Sequence, residues 1–483
     1  MQALGINISA VLPEVLLVLL AMIVMMVDAF AGKEENAAKN AIPWISLIGV
    51  VGVIFFALGQ WGVAPLYFQS AAVTDHFTIG LRLIVLVTTG LSILVSHTYI
   101  PRINKQTGEY YALLLLCTAG MMMMGAAVDL MVVFLSLEIF SLGLYILTGL
   151  HRQNVRGSEA ALKYFLLGAF SSAFFVYGAA LVYGGTGSTN YAEIASTLAA
   201  GKGDVSLLLP GIAMLLIGFG FKVSLVPFHT WTPDVYQGAP TPVTAFMSVG
   251  TKAAAFAAFA RVFVVALPSE QPVWGWAMAG VAILTMTLGN LAALRQSSLK
   301  RMLAYSSVAH AGYILCGLVP GTSASADSAL AYLFTYAFMN IGAFAVVIAL
   351  ESAGEDDALQ QRANGLAKRW PALAFVMAVF MFSLSGVPPL AGFFGKFYVF
   401  KAAVEGGWVW LAAIGMLNSA IGAYYYLRVV VSMYFDDAAE GEIVPYRNWS
   451  SLRIGVALTA AATIIIGIFP SIWSGLFNSG LGG

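Results

Sequence analysis

Apolar residues along this chain fall into blocks of about 20, separated by short polar segments. A block of that length crosses the hydrocarbon core of a bilayer as one helix. The blocks predict about 14 helices, near residues 11–30, 41–60, 77–97, 111–127, 129–150, 160–184, 207–229, 240–267, 273–293, 301–318, 327–350, 371–400, 407–433 and 451–475. Hydrocarbon satisfies no backbone N–H or C=O, so helices are the element of choice, and the short alternating segments of a closed barrel do not occur. The first block, Val11 to Phe30, has no Lys or Arg before it and exceeds the length of a cleaved signal core, so it reads as a permanent span. The longest polar stretches, near Tyr183–Ser206, Glu351–Trp370 and Asp436–Ser451, are about 20 residues, too short for a soluble domain. The pattern predicts an all-α integral membrane protein.

Composition agrees. Hydrophobic residues make up 60% of the chain and charged residues 10%, against about 25% charged in soluble domains. A formal net charge of zero suggests no nucleic-acid partner and leaves the lipid bilayer as the expected surroundings. The two cysteines, Cys117 and Cys316, lie inside apolar blocks, which argues against a disulfide framework or a metal knuckle. Loop charges set an orientation. Fourteen Lys or Arg follow odd-numbered spans (Lys33, Lys39, Arg102, Lys105, Arg152, Arg156, Arg295, Lys300, Arg301, Arg362, Lys368, Arg369, Arg447 and Arg453), whereas only Lys202 and Lys401 follow even-numbered ones. The positive-inside rule then places both termini on the outer side of the membrane.

Two spans are interrupted. The seventh reads Gly218-Phe-Gly-Phe-Lys222-Val-Ser-Leu-Val-Pro227-Phe-His229, and the twelfth reads Ser383-Leu-Ser-Gly386-Val-Pro388-Pro389-Leu-Ala-Gly392-Phe-Phe-Gly-Lys396. Proline removes a backbone donor and clashes with the preceding turn, so both helices should break near mid-membrane. Matched breaks point to two inverted five-helix repeats, spans 4–8 and 9–13. The corresponding division is 1–110 for the first three spans, 111–267 and 273–433 for the repeats, and 451–483 for the last span.

Seven cations fall within apolar blocks: Arg82, Lys163, Lys222, Lys252, Arg261, Lys396 and Arg428. A charge at the helix centre costs at least ~2.5–3.5 kcal/mol on insertion scales. Arg261 and Arg428 lie near span ends, where they can snorkel to the interface. Arg82 lies early in its span and leaves both readings open. Lys222, Lys252 and Lys396 lie deep in spans 7, 8 and 12, Glu138 lies midway along span 5, and Lys163 lies in the first turn of span 6. One glutamate cannot neutralise several lysines, so ion pairing alone leaves cations uncompensated. A buried lysine without a counter-charge can give up its proton, which turns it into a proton carrier. Glu138, Lys222, Lys252 and Lys396 therefore read as a proton relay, with Lys163 as a secondary member. In span 10, Ser306, Ser307 and His310 line up within one turn, and histidine suits relay work. Tyr332, Tyr336 and Asn340 share a face of span 11 and fit either helix–helix hydrogen bonding or a wet path.

The chain carries no phosphate-binding P-loop, and no GxGxxG unit follows a strand. The Gly-rich Gly184–Thr189 lacks a Lys before its Ser/Thr and reads as a turn. No His or Cys cluster could hold haem, iron–sulfur or zinc. Redox chemistry, if any, belongs to another chain.

The stretch Val226-Pro-Phe-His-Thr-Trp-Thr-Pro-Asp-Val-Tyr-Gln-Gly-Ala-Pro-Thr-Pro-Val-Thr-Ala245 resembles the junction of helices 7 and 8 in the antiporter-like membrane subunits of bacterial NADH:quinone oxidoreductase (respiratory complex I), the N type in particular. Leu384–Tyr398 resembles their broken helix 12, and Leu137–Tyr145 and Ser158–Gly168 fit the same family. The resemblance runs from about Tyr110 to Met433. It implies a membrane-arm subunit of 14 helices in a bacterial cell (inner) membrane, with Glu138 paired to Lys222, Lys252 passing protons toward Lys396, and Lys163 in a secondary role. It implies no cofactor in this chain. NADH, FMN, iron–sulfur clusters and quinone are expected in partner subunits, and M-, L-, K-, J-, A- and H-type subunits as neighbours. The L type carries a long C-terminal arm, whereas this chain ends shortly after its last span; the M type usually has Glu where Lys396 stands. The alternative is a subunit of a multisubunit Na+/H+ antiporter.

Overall fold

The computed structural model describes residues 7–32, 37–103, 108–351, 363–437, 450–478 and 481. Apolar blocks close into helices, and seven α-helices are capped at the N-terminus by short polar side chains. Asp75, Asp129, Asn154, Asn190, Asp204, Ser298 and Thr322 each accept a hydrogen bond from a first-turn amide, which satisfies donors that hydrocarbon cannot.

In chain order the elements are α1 (Leu12–Ala31), α2 (Ala37–Gly59), a hairpin of β1 (Leu66–Phe68) and β2 (Ala72–Thr74), α3 (His76–Tyr99), α4 (Gly108–Ala126), α5 (Leu130–Thr148), α6 (Val155–Thr186), α7 (Tyr191–Ala199), α8 (Val205–Lys222), α9 (Trp231–Gly238), α10 (Thr241–Ala260) and α11 (Gln271–Leu294). Then follow α12 (Leu299–Leu318), α13 (Ser323–Leu350), α14 (Leu366–Arg369), α15 (Pro371–Ser385), α16 (Ala391–Glu405), α17 (Val409–Phe435), α18 (Ser450–Ile468) and α19 (Ser471–Ser474). Eleven helices of the described residues are long and apolar enough to cross a membrane. The predicted tenth and thirteenth spans correspond to α12 and α17, which are helical but not among those eleven, and the predicted twelfth is divided between α15 and α16.

Depth differs sharply among the helices. In α3, 94% of the apolar window is buried within the chain, and in α10 and α13 it is 89%, against 22% in α1 and 39% in α6. The first three form the centre, with α10 packed on both α3 and α13. The periphery exposes large apolar side chains, among them Phe30, Ile48, Phe55, Leu135, Phe170 and Leu417. Such a surface is stable only against lipid or other apolar chains, and the chain is a multi-pass membrane protein.

Both predicted interruptions are present. Helix α8 stops at Lys222, the backbone passes Ser224 (φ 64°) and Pro227, and the short α9 follows before α10 begins a new span. Helix α15 ends at Gly386 in the left-handed region (φ 91°), where the Cβ of any other residue would lie 3.0 Å from the Lys396 side chain. Two features fall outside the sequence reading. The segment 66–74 is a hairpin paired antiparallel, and the stretch expected to be a loop at Tyr183–Ser206 holds the end of α6 and the short α7. Neither is long enough to register as a hydrophobic block.

The helix ends gather on two faces. On one, isolated bridges join Ala72 to Ala127 and Asp129 to Asn190, beside the hairpin. On the other, Arg102 donates to Ile348 O at 3.4 Å, His97 meets Ser451 at 3.0 Å, and Arg301 pairs with Asp234 at 2.8 Å. The second face carries the loop cations that follow odd-numbered spans; of these, Lys33, Lys105, Arg362 and Arg447 lie outside the described residues.

Three of the intramembrane cations are structural. Arg82 is fully buried and spends its guanidinium on Glu14 (2.8 and 2.9 Å), Thr74 (2.9 Å), Gln60 (3.2 Å) and the Ala10 carbonyl (2.7 Å). Arg261 corrects the expectation of snorkelling: its side chain is 4% exposed and turns inward to Asp75 (2.6 Å), Thr78 (2.7 Å) and Gly125 O (2.8 Å). Burial pushes the Asp75 carboxyl up, but Arg261 and Thr78 hold it below its ordinary value on balance. Arg428 reaches the Leu294 and Gln296 carbonyls (3.0 and 2.8 Å) and caps the C-terminal end of α11.

Removing one partner of a buried pair costs about 3–5 kcal/mol, because the other charge is left uncompensated. Arg82→Met alone is therefore expected to deplete folded chain from the membrane, and Arg82→Met with Glu14→Leu to restore much of it. Size-exclusion profiles of detergent extracts measure both; a double variant no better than the single would refute the pairing account.

Candidate functional site

The three deep lysines differ from the structural cations in one respect. Lys222, Lys252 and Lys396 are 1%, 1% and 6% exposed, yet among the described residues none is ion-paired. Each amine meets hydroxyl or carbonyl oxygens. Lys222 is the last residue of α8 and donates to Ser141 Oγ of α5 at 2.7 Å. Phe140, Tyr145, Tyr164 and Phe221 surround it, with ring centroids 5.4–5.8 Å from Nζ. Glu138 lies on α5 one turn before Ser141, half-buried, and accepts a hydrogen bond from Ser172 of α6. No direct ion pair joins Glu138 to Lys222, but the carboxylate is near enough for its charge to act on the amine.

Lys252, at the middle of α10, donates to the carbonyl and the hydroxyl of Ser307 in α12, the latter at 2.6 Å. The carbonyl of a helical serine is available because a C=O has two lone pairs and the helix uses one. One turn further along α12, His310 is buried and hydrogen-bonded at both ring nitrogens, Nδ1 to Tyr332 OH of α13 and Nε2 to Tyr426 OH of α17 at 2.9 Å. Tyr426 OH in turn meets Ser306 Oγ. The charges of both Lys252 and Lys396 act on His310.

Lys396 lies in the second turn of α16. Its amine donates to Ser385 O (2.9 Å) and Ser419 Oγ of α17 (2.7 Å), and sits 5.1 Å from the Tyr313 ring centroid. Ser385 is the last residue of α15, so its carbonyl has no intrahelical partner. The helix break supplies the acceptor that holds the lysine.

The structure thus places Glu138 near Lys222, and His310 within reach of the charges of Lys252 and Lys396. Lys163 is not among them. Helix α6 starts at Val155, so Lys163 is in its third turn, with 41% of its side chain exposed and ion pairs to Glu159 (2.7 Å) and Asp234 (2.8 Å). Tyr332 belongs to the hydrogen-bonded chain, Asn340 donates to Ser248 at 2.6 Å, and the Tyr236 and Tyr336 hydroxyls are buried against Ser307.

Sequence reading missed Ser141, Ser172, Ser419 and Tyr426, whose residue types are too common in apolar helices to stand out, whereas Ser307 was singled out with Ser306 and His310. It also counted Lys300 as a loop charge. In the structure Lys300 is buried and paired with Glu351 at 3.5 Å. Its spacing was a usable signal: it precedes Ser307 by seven residues, two turns on the same face. Among the described residues no group of three His, Cys, Asp or Glu could hold a metal ion.

Residues 127–422 match the family described as NADH:quinone oxidoreductase/Mrp antiporter, TM. The chain is 47% identical to NADH-quinone oxidoreductase subunit N of Trichlorobacter lovleyi over 97% of its own length and 95% of that protein's. It superimposes on a chain of respiratory complex I from Thermus thermophilus with a TM-score of 0.82 at 34% identity, covering 97% of this chain and 100% of that one. A chain of the Mrp complex from Dietzia sp. shares the fold, with a TM-score of 0.81 at 20% identity over 99% and 97% of the two chains. The chain belongs to the NADH:quinone oxidoreductase/Mrp antiporter family of membrane subunits, in its NADH-quinone oxidoreductase subunit N branch.

Proposed function

We propose that this chain is a proton-translocating membrane-arm subunit of an NADH:quinone oxidoreductase, driven by quinone reduction in neighbouring subunits. The observation that carries the reading is the row of three buried lysines held only by hydroxyls and carbonyls. A permanent cation in such surroundings is costly, while a lysine that alternates between ammonium and free amine is charged only while it carries a proton. Glu138, near Lys222 but hydrogen-bonded elsewhere, biases the first lysine without neutralising it. Protons pass from Lys222 to Lys252, through the Ser306–Tyr426–His310–Tyr332 hydrogen bonds, and on to Lys396, with water completing the gaps. Lys163, in its surface ion pairs, acts at most on the margin of this row.

In this reading the chain crosses a bacterial inner membrane 14 times, counting α8–α9 and α15–α16 as single broken spans, with both termini on the periplasmic side. Residues 111–267 and 273–433 are the inverted repeats. NADH, FMN, iron–sulfur and quinone sites belong to partner subunits, and M-, L-, K-, J-, A- and H-type chains are the neighbours. A Na+/H+ antiporter assembly is disfavoured because the relatives at 41–47% identity are named for the redox complex.

Three outcomes follow. A cysteine replacing Lys368, whose side chain is 61% exposed, is expected to resist an impermeant thiol reagent in intact cells and to react in inverted vesicles; labelling from outside would overturn the orientation. At Lys396 a relay needs a group that gains and loses a proton, and Arg stays charged in proteins. NADH-driven acidification of inverted vesicles, per assembled complex, should therefore be kept better by Lys396→Glu than by Lys396→Arg. The opposite order would make Lys396 a structural cation. Glu138→Gln and Lys222→Ala should each lower acidification, and the double variant should lose less than the two combined; strict additivity would show that the two groups are uncoupled.

A further inference from the structure

Three helices bring polar stripes to one line below Lys252. On α10, Thr241, Thr244, Ser248 and Lys252 follow one another at three or four residues and so share a face. On α12, Lys300 and Ser307 are two turns apart. On α13, Asn340 lies one turn from Tyr336, and Glu351, the residue capping the helix, follows Asn340 by eleven residues, three turns on the same face. The stripes are joined by hydrogen bonds. Glu351 accepts from Thr241 Oγ1 at 2.6 Å and pairs with Lys300, which also donates to Ala239 O at 3.2 Å. Thr244 donates to Tyr236 O at 2.9 Å, and Asn340 donates to Ser248. At the top, Ser307 holds the Lys252 amine.

The column is more polar than helix packing requires. Tyr236, Tyr336 and Asn340 are fully buried; the two hydroxyls lie against Ser307, and Asn340 Oδ1 has no hydrogen-bond partner. Buried polar groups in native proteins are paired with protein or with ordered water, so a line of hydroxyls with an open acceptor at Asn340 suits a proton path. Its lower end is on the face that carries the loop cations, the inner face of the proposed orientation.

From this we infer that Lys300 and Glu351 form the inner gate of a proton inlet leading to Lys252. The inference rests on the relay reading above and adds two residues and a route to it. A proton from the inner side adds to the Glu351 carboxylate, and the pair with Lys300 opens while Lys300 remains charged against the Ala239 carbonyl. The proton then leaves Glu351 along Thr241, Thr244, Ser248 and intervening water and ends on the free amine of Lys252. Glu351 returns to a carboxylate, the pair closes, and Lys252 carries the charge onward. A closed pair keeps the passage shut when no proton is moving, because two buried opposite charges hold each other.

The test is NADH-driven acidification of inverted vesicles, divided by the rate of NADH oxidation and by assembled complex on native gels. Glu351→Gln keeps the shape and the Thr241 hydrogen bond but cannot carry a proton; it should fall to less than half of the wild-type ratio, whereas Glu351→Asp retains most of it. The double variant Thr244→Val, Ser248→Ala cuts the column without touching the ion pair and should fall likewise. It decides the matter where Glu351→Gln does not assemble. Normal ratios in the column variant overturn the inlet, as does a normal ratio in assembled Glu351→Gln. Lys252→Ala, run in parallel, separates the two readings. If it falls while the inlet variants do not, the relay stands and the inlet alone is wrong; if Lys252→Ala is itself normal, the relay through Lys252 fails and the inlet with it.

Discussion

A charge inside this molecule has two ways to exist, and the structure uses both. Arg82, Arg261 and Lys300 are each buried against a carboxylate, and there the cation is a permanent part of the packing. Arginine cannot deprotonate in a protein, so a buried arginine has to be compensated. Lys222, Lys252 and Lys396 are as deeply buried but are held by oxygen atoms that carry no formal charge. Compensated and uncompensated burial are two solutions to one electrostatic problem.

The broken helices follow from the same constraint. A continuous helix leaves each carbonyl one free lone pair, whereas a carbonyl at a helix end keeps both. Ending α15 at Ser385 releases a carbonyl that Lys396 takes up, and Gly386 makes the sharp exit possible because its backbone turns left-handed where a side chain would meet the lysine. Serine hydroxyls on neighbouring helices do the rest. They donate or accept as required and so tolerate both the ammonium and the amine.

The position of the central helices matters equally. Helices α3, α10 and α13 are shielded by the others, so Lys252 and the stripe that leads to it have no contact with lipid. Outer helices carry the apolar surface, and the pairs Arg82–Glu14 and Arg261–Asp75 tie α1 and α10 to α3 near the hairpin face. That scaffold surrounds the three buried lysines.

Much of this was legible in the chain itself. Block length decides that a segment spans a bilayer, and proline with glycine decides where a helix must stop, because both are local backbone effects; Glu138, Lys222, Lys252 and Lys396 stood out since charge within an apolar block is costly wherever the block ends up. Whether a given charge is paired is not a local property. Arg261 was expected at the interface and is held inside by Asp75, 186 residues away in sequence. Lys163 looked like a member of the row and lies at the surface with Asp234, while Lys300 looked like a loop charge and is buried with Glu351. The sequence by itself determined the membrane class, the breaks and the list of costly charges. Only the tertiary structure decided which of them find a counter-charge, because partners for a buried ion are recruited from other helices, and the distance between helices in space is not written in their separation along the chain.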